Sequence, residues 1–510
     1  MTEPYHQVIS TQSAVETELL AKRVALWATA NCLISLRGDL GAGKSTFARA
    51  LIRALAPPNL EFDIPSPSFS LVQTYSETRI KICHVDLYRV KSTDEVIELA
   101  LDELAKDHLL IVEWPEKLPE LSLSSVLKLS FSGQGEARLI DVQASGLWAK
   151  AFTRDHEIEK FIAASSWSNA QRVFLEGDAS SRRYELLVEA RQSALLMDMP
   201  RRPDGPPVKD GKPYSVIAHL AEDISAVLAV NSHLSSLGYS APIVEAHDLA
   251  SGLAIIENLG NLVFGRMLLA GEDISLPMQT AVALLADMAE QHWPNKIEIS
   301  PLRSHKIEHY DLEAQLAEVN LVVSWFWPHL RGSGCDPKAA QKFVQIWRDL
   351  LPLTVPAKPQ WVMRDFHSPN LIWLPDREGI KRVGLIDTQD AVLGHPAYDL
   401  VSLLQDARVD IDPSLTQQLY QQYVELRSSN SNFDAANFAS VFAILGAQRA
   451  TKILGIFARL NKRDGKSVYL KHIPRVAKYL VQNLKHPNLA YLSLWYETYL
   501  PEIFNMSSNH

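Results

Sequence analysis

The stretch Gly38-Asp39-Leu40-Gly41-Ala42-Gly43-Lys44-Ser45, followed by Thr46, leaves little choice about the fold around it. Glycines at both ends and in the middle let consecutive backbone N–H groups turn inward with no side chain in the way, which makes a cradle for phosphate oxygens. Lys44 is spaced to reach the β- and γ-phosphates, and the Ser45 hydroxyl to hold Mg²⁺. Such a loop works between a buried strand and a helix. Both are legible: Cys32 to Leu36 is a short apolar run, and Ser45 to Leu55 has helical spacing. Gly38, Asp39, Gly41, Ala42, Gly43, Lys44, Ser45 and Thr46 are therefore the expected nucleotide-binding residues of an α/β P-loop NTPase domain. The loop accounts for only the first third of 510 residues, a chain too long for one ordinary core, so two or three domains are expected.

Around the loop the pattern stays α/β. Ser13 and Glu16 form a capping box ahead of a helix, and the proline-punctuated segment Ile64 to Phe69 is a rigid turn. SLVQTY and KICHVDLYR are two strands joined at Ser76-Glu77-Thr78. Ser92 and Glu95 cap a helix predicted to run to about Lys106. Leu109 to Val112 is a short buried strand, and VLKLSF and ARLIDVQA pair across Gly133-Gln134-Gly135. Two acids close strands here. Asp86 ends ICHVD and Glu113 ends LLIVE, which puts each carboxylate at the sheet edge where the loop presents its nucleotide. A Mg²⁺-ATP site needs such an oxygen ligand beside Ser45, and hydrolysis needs a group that orients water. Asp86 is the expected metal ligand and Glu113 the expected catalytic carboxylate.

GDLGAGKST, SPSFSLVQTY, HVDLYR and IVEWPEKLP, in that order and spacing, resemble the bacterial TsaE family, the ATPase subunit used in making threonylcarbamoyladenosine in tRNA. The resemblance covers about residues 10 to 150. It implies that Lys44 and Ser45 bind phosphate and Mg²⁺, that Ser66 to Phe69 form a switch-like turn, and that Asp86 and Glu113 serve metal and water. It also implies that Trp114 lies near the nucleotide and that TsaD and TsaB subunits are protein partners. The family commonly has threonine where Ser68 stands; the hydroxyl is retained.

Composition limits what else the chain does. A formal net charge of -9 is a poor basis for strong, direct nucleic-acid binding; the resemblance to the TsaE family implies that the P-loop domain acts on the protein complex rather than on tRNA itself. The three cysteines, Cys32, Cys83 and Cys335, are widely separated and lack metal-ligand spacing, which argues against disulfides and a zinc site. The N-terminal segment does not read as a signal peptide and no apolar stretch approaches bilayer length; a cytoplasmic protein without membrane partners is expected.

Near residue 150 the β-pattern gives way to a polar helical stretch, taken as the domain boundary. The second domain is expected over 151–510, with a small lobe at about 165–260 and a large lobe at about 261–490. Gly177-Asp178-Ala179-Ser180 lies between two strands as a turn able to cover phosphates, and Arg182 or Arg183 is placed to point a charge at them; Ser180, Arg182 and Arg183 are nucleotide-binding candidates. SALLMDMP contains no lysine where a protein kinase has one. Pro200 to Pro213 reads as a loop. The chemistry concentrates in Trp361 to Asn370 (WVMRDFHSPN) and Val383 to Ala391 (VGLIDTQDA). An Asp followed five residues on by an Asn, then a strand ending in Asp, suits phosphoryl transfer to a hydroxyl. Asp365 is the expected base, Asn370 and Asp387 the metal ligands, and Asp390 a further metal-shell or substrate-pocket residue.

This part resembles the aminoglycoside phosphotransferase and choline kinase superfamily, which implies a two-lobed, protein-kinase-like α+β domain and places His367 at the substrate pocket. EGDASSRRYELL, LLMDMP, KPYSVIAHL and IIENLGN are most similar to the anomeric cell-wall amino-sugar kinases of the AmgK type. That implies transfer from ATP to the C1 hydroxyl of N-acetylmuramate or N-acetylglucosamine, for cell-wall recycling. The expected protein is thus a fusion of two modules that each use ATP and Mg²⁺. The alternatives are an aminoglycoside or other small-alcohol kinase, a P-loop half that is a nucleotide-dependent binding module, and a kinase half that is a scaffold without turnover.

Overall fold

The computed structural model describes residues 4–57, 63–133, 135–175, 182–201 and 205–508. The chain forms two compact units, Met1–Asp178 with Tyr184–Ser193, and Ala179–Arg183 with Ala194–His510.

The first unit is built on a seven-stranded sheet. Its strands are β1 (Tyr5–Thr11), β2 (Cys32–Arg37), β3 (Val72–Tyr75), β4 (Ile82–Asp86), β5 (Leu109–Glu113), β6 (Val126–Ser132) and β7 (Arg138–Ala144), in the order β1-β7-β6-β2-β5-β4-β3. The central strands β6, β2, β5 and β4 are parallel, and the flanking pairs are antiparallel. β4 and β5 are buried at every position, the near-continuous apolar run that a parallel sheet covered on both faces requires. Alternation sends Ile34 and Ile111 to a core shared with Phe47 and Leu51, and Leu33 and Leu110 to a second core with Val96 and Leu101. Helix α1 (Ala14–Trp27) starts at the predicted cap, with the Glu16 amide donating to Ser13 Oγ, but the Glu16 carboxylate accepts from the Gln12 amide, one residue before the Ser13 amide that a capping box would use. Helix α2 (Lys44–Leu55) follows the glycine loop directly.

The helix expected from Ser92 to Lys106 is instead two short ones, Thr93–Ile97 and Leu101–Ala105, separated at Ala100, whose φ is 49°. One continuous helix would turn Val96 and Leu101 about 140° apart. The break lets both enter the same core. The polar helical stretch is helix Leu147–Ala163, whose buried Asp155 ion-pairs with Arg23 of α1 and, at 2.8 Å, with Arg172. Arg172 lies in the antiparallel hairpin Gln171–Leu175 with Arg183–Glu189 and also pairs with Glu185 of the facing strand.

In the second unit, strand Leu253–Glu257 pairs with Val244–Asp248 and with Gln192–Asp198. The segment expected as a plain loop contains a small hairpin, Pro207–Lys209 with Lys212–Pro213, turned at Asp210-Gly211 with φ of 50° and 74°. An Asp-Gly pair at positive φ is the favoured two-residue hairpin turn. The remainder is mostly helical. Helix Ala435–Asp464 corrects the expectation that no apolar stretch is of bilayer length: by length and composition it is long and apolar enough, but 83% of its apolar window is buried, so it serves here as a core helix. Two short antiparallel pairs shape the chemistry: Gln360–Val362 with Val392–Gly394, and Leu371–Trp373 with Val383–Leu385. The Asp365–Asn370 and Asp387–Asp390 segments bridge between these two pairs and are thereby held side by side.

Two candidate active sites

In the first unit the loop joins the C-terminal end of β2 to the N-terminus of α2. Gly38 has φ 136°, and a Cβ there would lie 2.4 Å from the Phe131 carbonyl oxygen; only glycine fits. Gly43, at φ 104°, caps α2. The buried Lys44 ammonium donates to the carbonyls of Gly38 (2.6 Å) and Asp39 (2.8 Å) and lies 3.8 Å from the centroid of the Trp114 ring. Burial lowers its pKa, opposed by the charges of Glu113 and Asp86. The Ala42 amide donates to the Asp39 carbonyl, and Gly41 and Thr46 complete the loop and the first turn of α2.

Parallel register sets Asp86 opposite Glu113, and Glu113 opposite Leu36 at the loop entrance. The two acids and the loop therefore share one edge of the sheet. Ser45 Oγ donates to Glu113 Oε2 at 2.7 Å, and His84 Nε2 lies 2.9 Å from Glu113 Oε1. Asp86 accepts from Ser68 Oγ (2.5 Å) and the Tyr88 amide (3.0 Å), and Ser68 contacts Ser66 at 2.8 Å. The proline-flanked turn is thus tied to the expected metal ligand. Two residues were not anticipated. His84 precedes Asp86 by two in a strand, which places both on one face, a signal present in the sequence. Arg138 donates from Nε to the Ala42 carbonyl (2.7 Å) and from a terminal nitrogen to the Gly41 carbonyl (3.2 Å), clamping the loop from a strand 96 residues away.

In the second unit, Asn370 Nδ2 donates to the Asp365 backbone carbonyl (3.1 Å) and approaches Asp387 Oδ2 (3.5 Å). Asp387, at φ 61°, also accepts from Gln389 Nε2 at 2.9 Å and ion-pairs with Arg182. Arg183 opens its strand, and Ser180 lies outside the described residues. The Asp365 side chain is 45% exposed, with His367 Nδ1 4.0 Å away. Although part of its surface is open to solvent, the protein packed around the Asp365 carboxyl pushes it up; His367, Lys452 and Arg364 outweigh that and hold the group below the usual carboxylate range. Burial lowers the His367 pKa against the opposing charges of Asp406 and Asp365. Asp390, raised by burial, accepts from the Ala221 amide at 2.7 Å and from Gln389.

Behind the Asp365 turn lies a buried scaffold. Arg364, at φ 65°, ion-pairs with Glu318 and donates to the Ala218 carbonyl at 2.7 Å. Glu318 also meets Lys452 (2.9 Å), Gln448 and the Tyr310 hydroxyl. Asp399 accepts from the amides of Met363 (2.7 Å) and Arg364 (3.0 Å), and Asp406 takes the amide and hydroxyl of Ser368. Among the described residues no three His, Cys, Asp or Glu side chains converge as a metal cage. The side-chain oxygens of Asn370 and Asp387, and those of Ser45 and Asp86, are hard ligands. They suit Mg²⁺, which is bound through one or two protein groups plus phosphate oxygens.

The family model described as Threonylcarbamoyl adenosine biosynthesis protein TsaE matches residues 11–140, and that described as Phosphotransferase enzyme family matches residues 172–431. The chain is 35% identical to the N-acetylmuramate/N-acetylglucosamine kinase of Caulobacter vibrioides, over 67% of this chain and 95% of the relative. It is 30% identical to the like-named kinase of Neisseria meningitidis over 60% of this chain and 84% of the relative. The tRNA threonylcarbamoyladenosine biosynthesis protein TsaE of Rickettsia felis is 35% identical over 26% of this chain and 85% of that protein. The chain therefore belongs to the phosphotransferase enzyme family and carries a TsaE-family domain ahead of it.

Proposed function

We propose that the chain is a bifunctional ATP-using protein. Its P-loop domain, about residues 1–150, is an ATPase serving threonylcarbamoyladenosine modification of tRNA. Its second domain, about 151–510, phosphorylates the anomeric hydroxyl of N-acetylmuramate and N-acetylglucosamine. The observation that carries the kinase half is the similarity to the Caulobacter kinase over 95% of that protein's length, and the P-loop half rests on the TsaE family match over residues 11–140. Partners for the first domain are TsaD- and TsaB-like subunits, and the location is the cytoplasm.

Asp365 stays ionised at neutral pH and is solvent-accessible, which suits it to accept the proton of the attacking sugar hydroxyl. Asn370 and Asp387 would hold Mg²⁺, which supplies charge neutralisation on the phosphates. Arg182, which pairs with Asp387, would offer its charge to a phosphate oxygen when nucleotide is bound. His367 and Asp390 border the acceptor. In the first domain, the amides of the Gly38–Gly43 loop and Lys44 would bind phosphates. Ser45 and Asp86 would hold that site's Mg²⁺, and Trp114 would flank the nucleotide. Glu113, fixed by His84, would orient water.

The test is ADP release by the purified chain with each amino sugar, with the sugar 1-phosphate identified by ³¹P NMR. Turnover with both sugars, lowered by about 10²- to 10⁴-fold in Asp365→Asn, is expected. Turnover on aminoglycosides and none on amino sugars would replace the acceptor.

A further inference from the structure

We infer that a cavity in the second unit, lined by Tyr214, Leu220, Leu316, Trp325 and Arg459, receives the acidic substituent of the acceptor, with Arg459 as its carboxylate-binding residue. The inference rests on the sugar-kinase reading above. The cavity holds about 1110 Å³, slightly more than the roughly 300–1,000 Å³ usual for small-molecule sites and ample for a substituted hexosamine. Its charged lining is unevenly balanced. Lys209 and Arg348 both meet Glu313, and Arg463 forks onto Asp464. Arg459 has no carboxylate at ion-pair distance among the described residues; its Nε is buried without a hydrogen-bond partner, and its guanidinium lies 4.8 Å from the centroid of the Tyr214 ring. A buried N–H left unmade is costly, and a carboxylate is the acceptor a guanidinium holds best.

One segment of the cavity wall also touches residues of the reaction site. Tyr214, Leu220, Ala221 and Glu222 line the cavity, while the same segment gives its Ala218 carbonyl to Arg364, the neighbour of Asp365, and its Ala221 amide to Asp390. An acceptor with its reacting end at Ala221 and Asp390 can therefore extend its remote group toward Arg459. Ser324 and Trp325 enter the lining from a π-helical turn, Val322–Phe326. That turn follows the point where Gly455 meets Leu321, so close that a Cβ would fall 2.4 Å from the Leu321 Cβ. Trp325 gives the sugar an apolar face. N-acetylmuramate differs from N-acetylglucosamine by a lactyl ether bearing a carboxylate, so Arg459 is a specificity residue that separates the two acceptors.

The experiment is steady-state kinetics of wild type, Arg459→Met and Arg459→Lys with both sugars, alongside direct binding of N-acetylmuramate by calorimetry. In Arg459→Met the KM for N-acetylmuramate should rise at least about tenfold, as for one lost charge-assisted contact, with kcat little changed. N-acetylglucosamine kinetics should stay within about twofold, which also shows the variant is folded, and Arg459→Lys should recover part of the loss. Equal effects on both sugars, or none on either, would overturn the inference. Should wild type phosphorylate neither sugar, the kinase reading fails on its own. The calorimetric comparison then decides: N-acetylmuramate binding weakened by Arg459→Met supports the subsite, and no binding, or equal binding, refutes it.

Discussion

Glu318 provides the sharpest energetic prediction. Replacing it with Gln keeps its shape but leaves Arg364 and Lys452 buried together without their counter-charge. Removing one partner of a buried ion pair costs about 3–5 kcal/mol. A second route gives the same size. Burial pushes the Glu318 carboxyl up, but Lys452 and Arg364 hold it down to about 2, against an ordinary 4.5. That difference corresponds to about 3 kcal/mol. Because the folded-state pKa is depressed, this contribution is fully present above pH 4.5 and is lost as the pH falls from 4.5 toward 2. Urea unfolding followed by tryptophan fluorescence should therefore show Glu318→Gln less stable by about 3 kcal/mol at pH 7. The gap should close as the pH falls toward 2. Because Arg364 carries the backbone into Asp365, kcat should fall as well, whereas ADP binding at the P-loop should be unchanged. A penalty below about 1 kcal/mol at pH 7, or one independent of pH, would refute the assignment of the cluster as the electrostatic anchor of the catalytic turn.

Other outcomes follow from single contacts. Lys44→Ala should abolish nucleotide binding at the P-loop and leave sugar phosphorylation intact, read by separate ATPase and sugar-kinase assays. Asp365→Asn should lower sugar-kinase kcat by about 10²- to 10⁴-fold with little change in ATP affinity, as for loss of a general base. Gly38→Ala should eliminate P-loop nucleotide binding, because its Cβ would sit 2.4 Å from the Phe131 carbonyl at a φ that disfavours side chains. Fluorescent-nucleotide titration of that variant checks it.

The parts of the sites that were legible are those carried by contiguous residues. The Gly38–Ser45 loop needs consecutive amides, and Asp86 and Glu113 could be read because a buried strand announces its own end. Parallel register, a property of the sheet, then set them opposite one another. What could not be read joins distant residues: Arg138 on the loop carbonyls, Arg182 on Asp387, and Arg364 with Glu318 and Lys452. An arginine carries no local sign of the acid it will meet. The break at Ala100 was hidden for a related reason, since capping and propensity both favour a continuous helix and only the shared demand of Val96 and Leu101 on one core interrupts it. The Asp210-Gly211 hairpin did have a local signal, submerged in a stretch rich in proline and glycine.

Two independent triphosphate sites in one chain are the centre of this account, and nucleotide-binding stoichiometry tests them most directly. Calorimetry with a non-hydrolysable ATP analogue and Mg²⁺ should give two sites per wild-type chain. Lys44→Ala and Asp387→Ala should each retain one, and the double variant none. A single site in wild type, or the same site lost in both single variants, would contradict it.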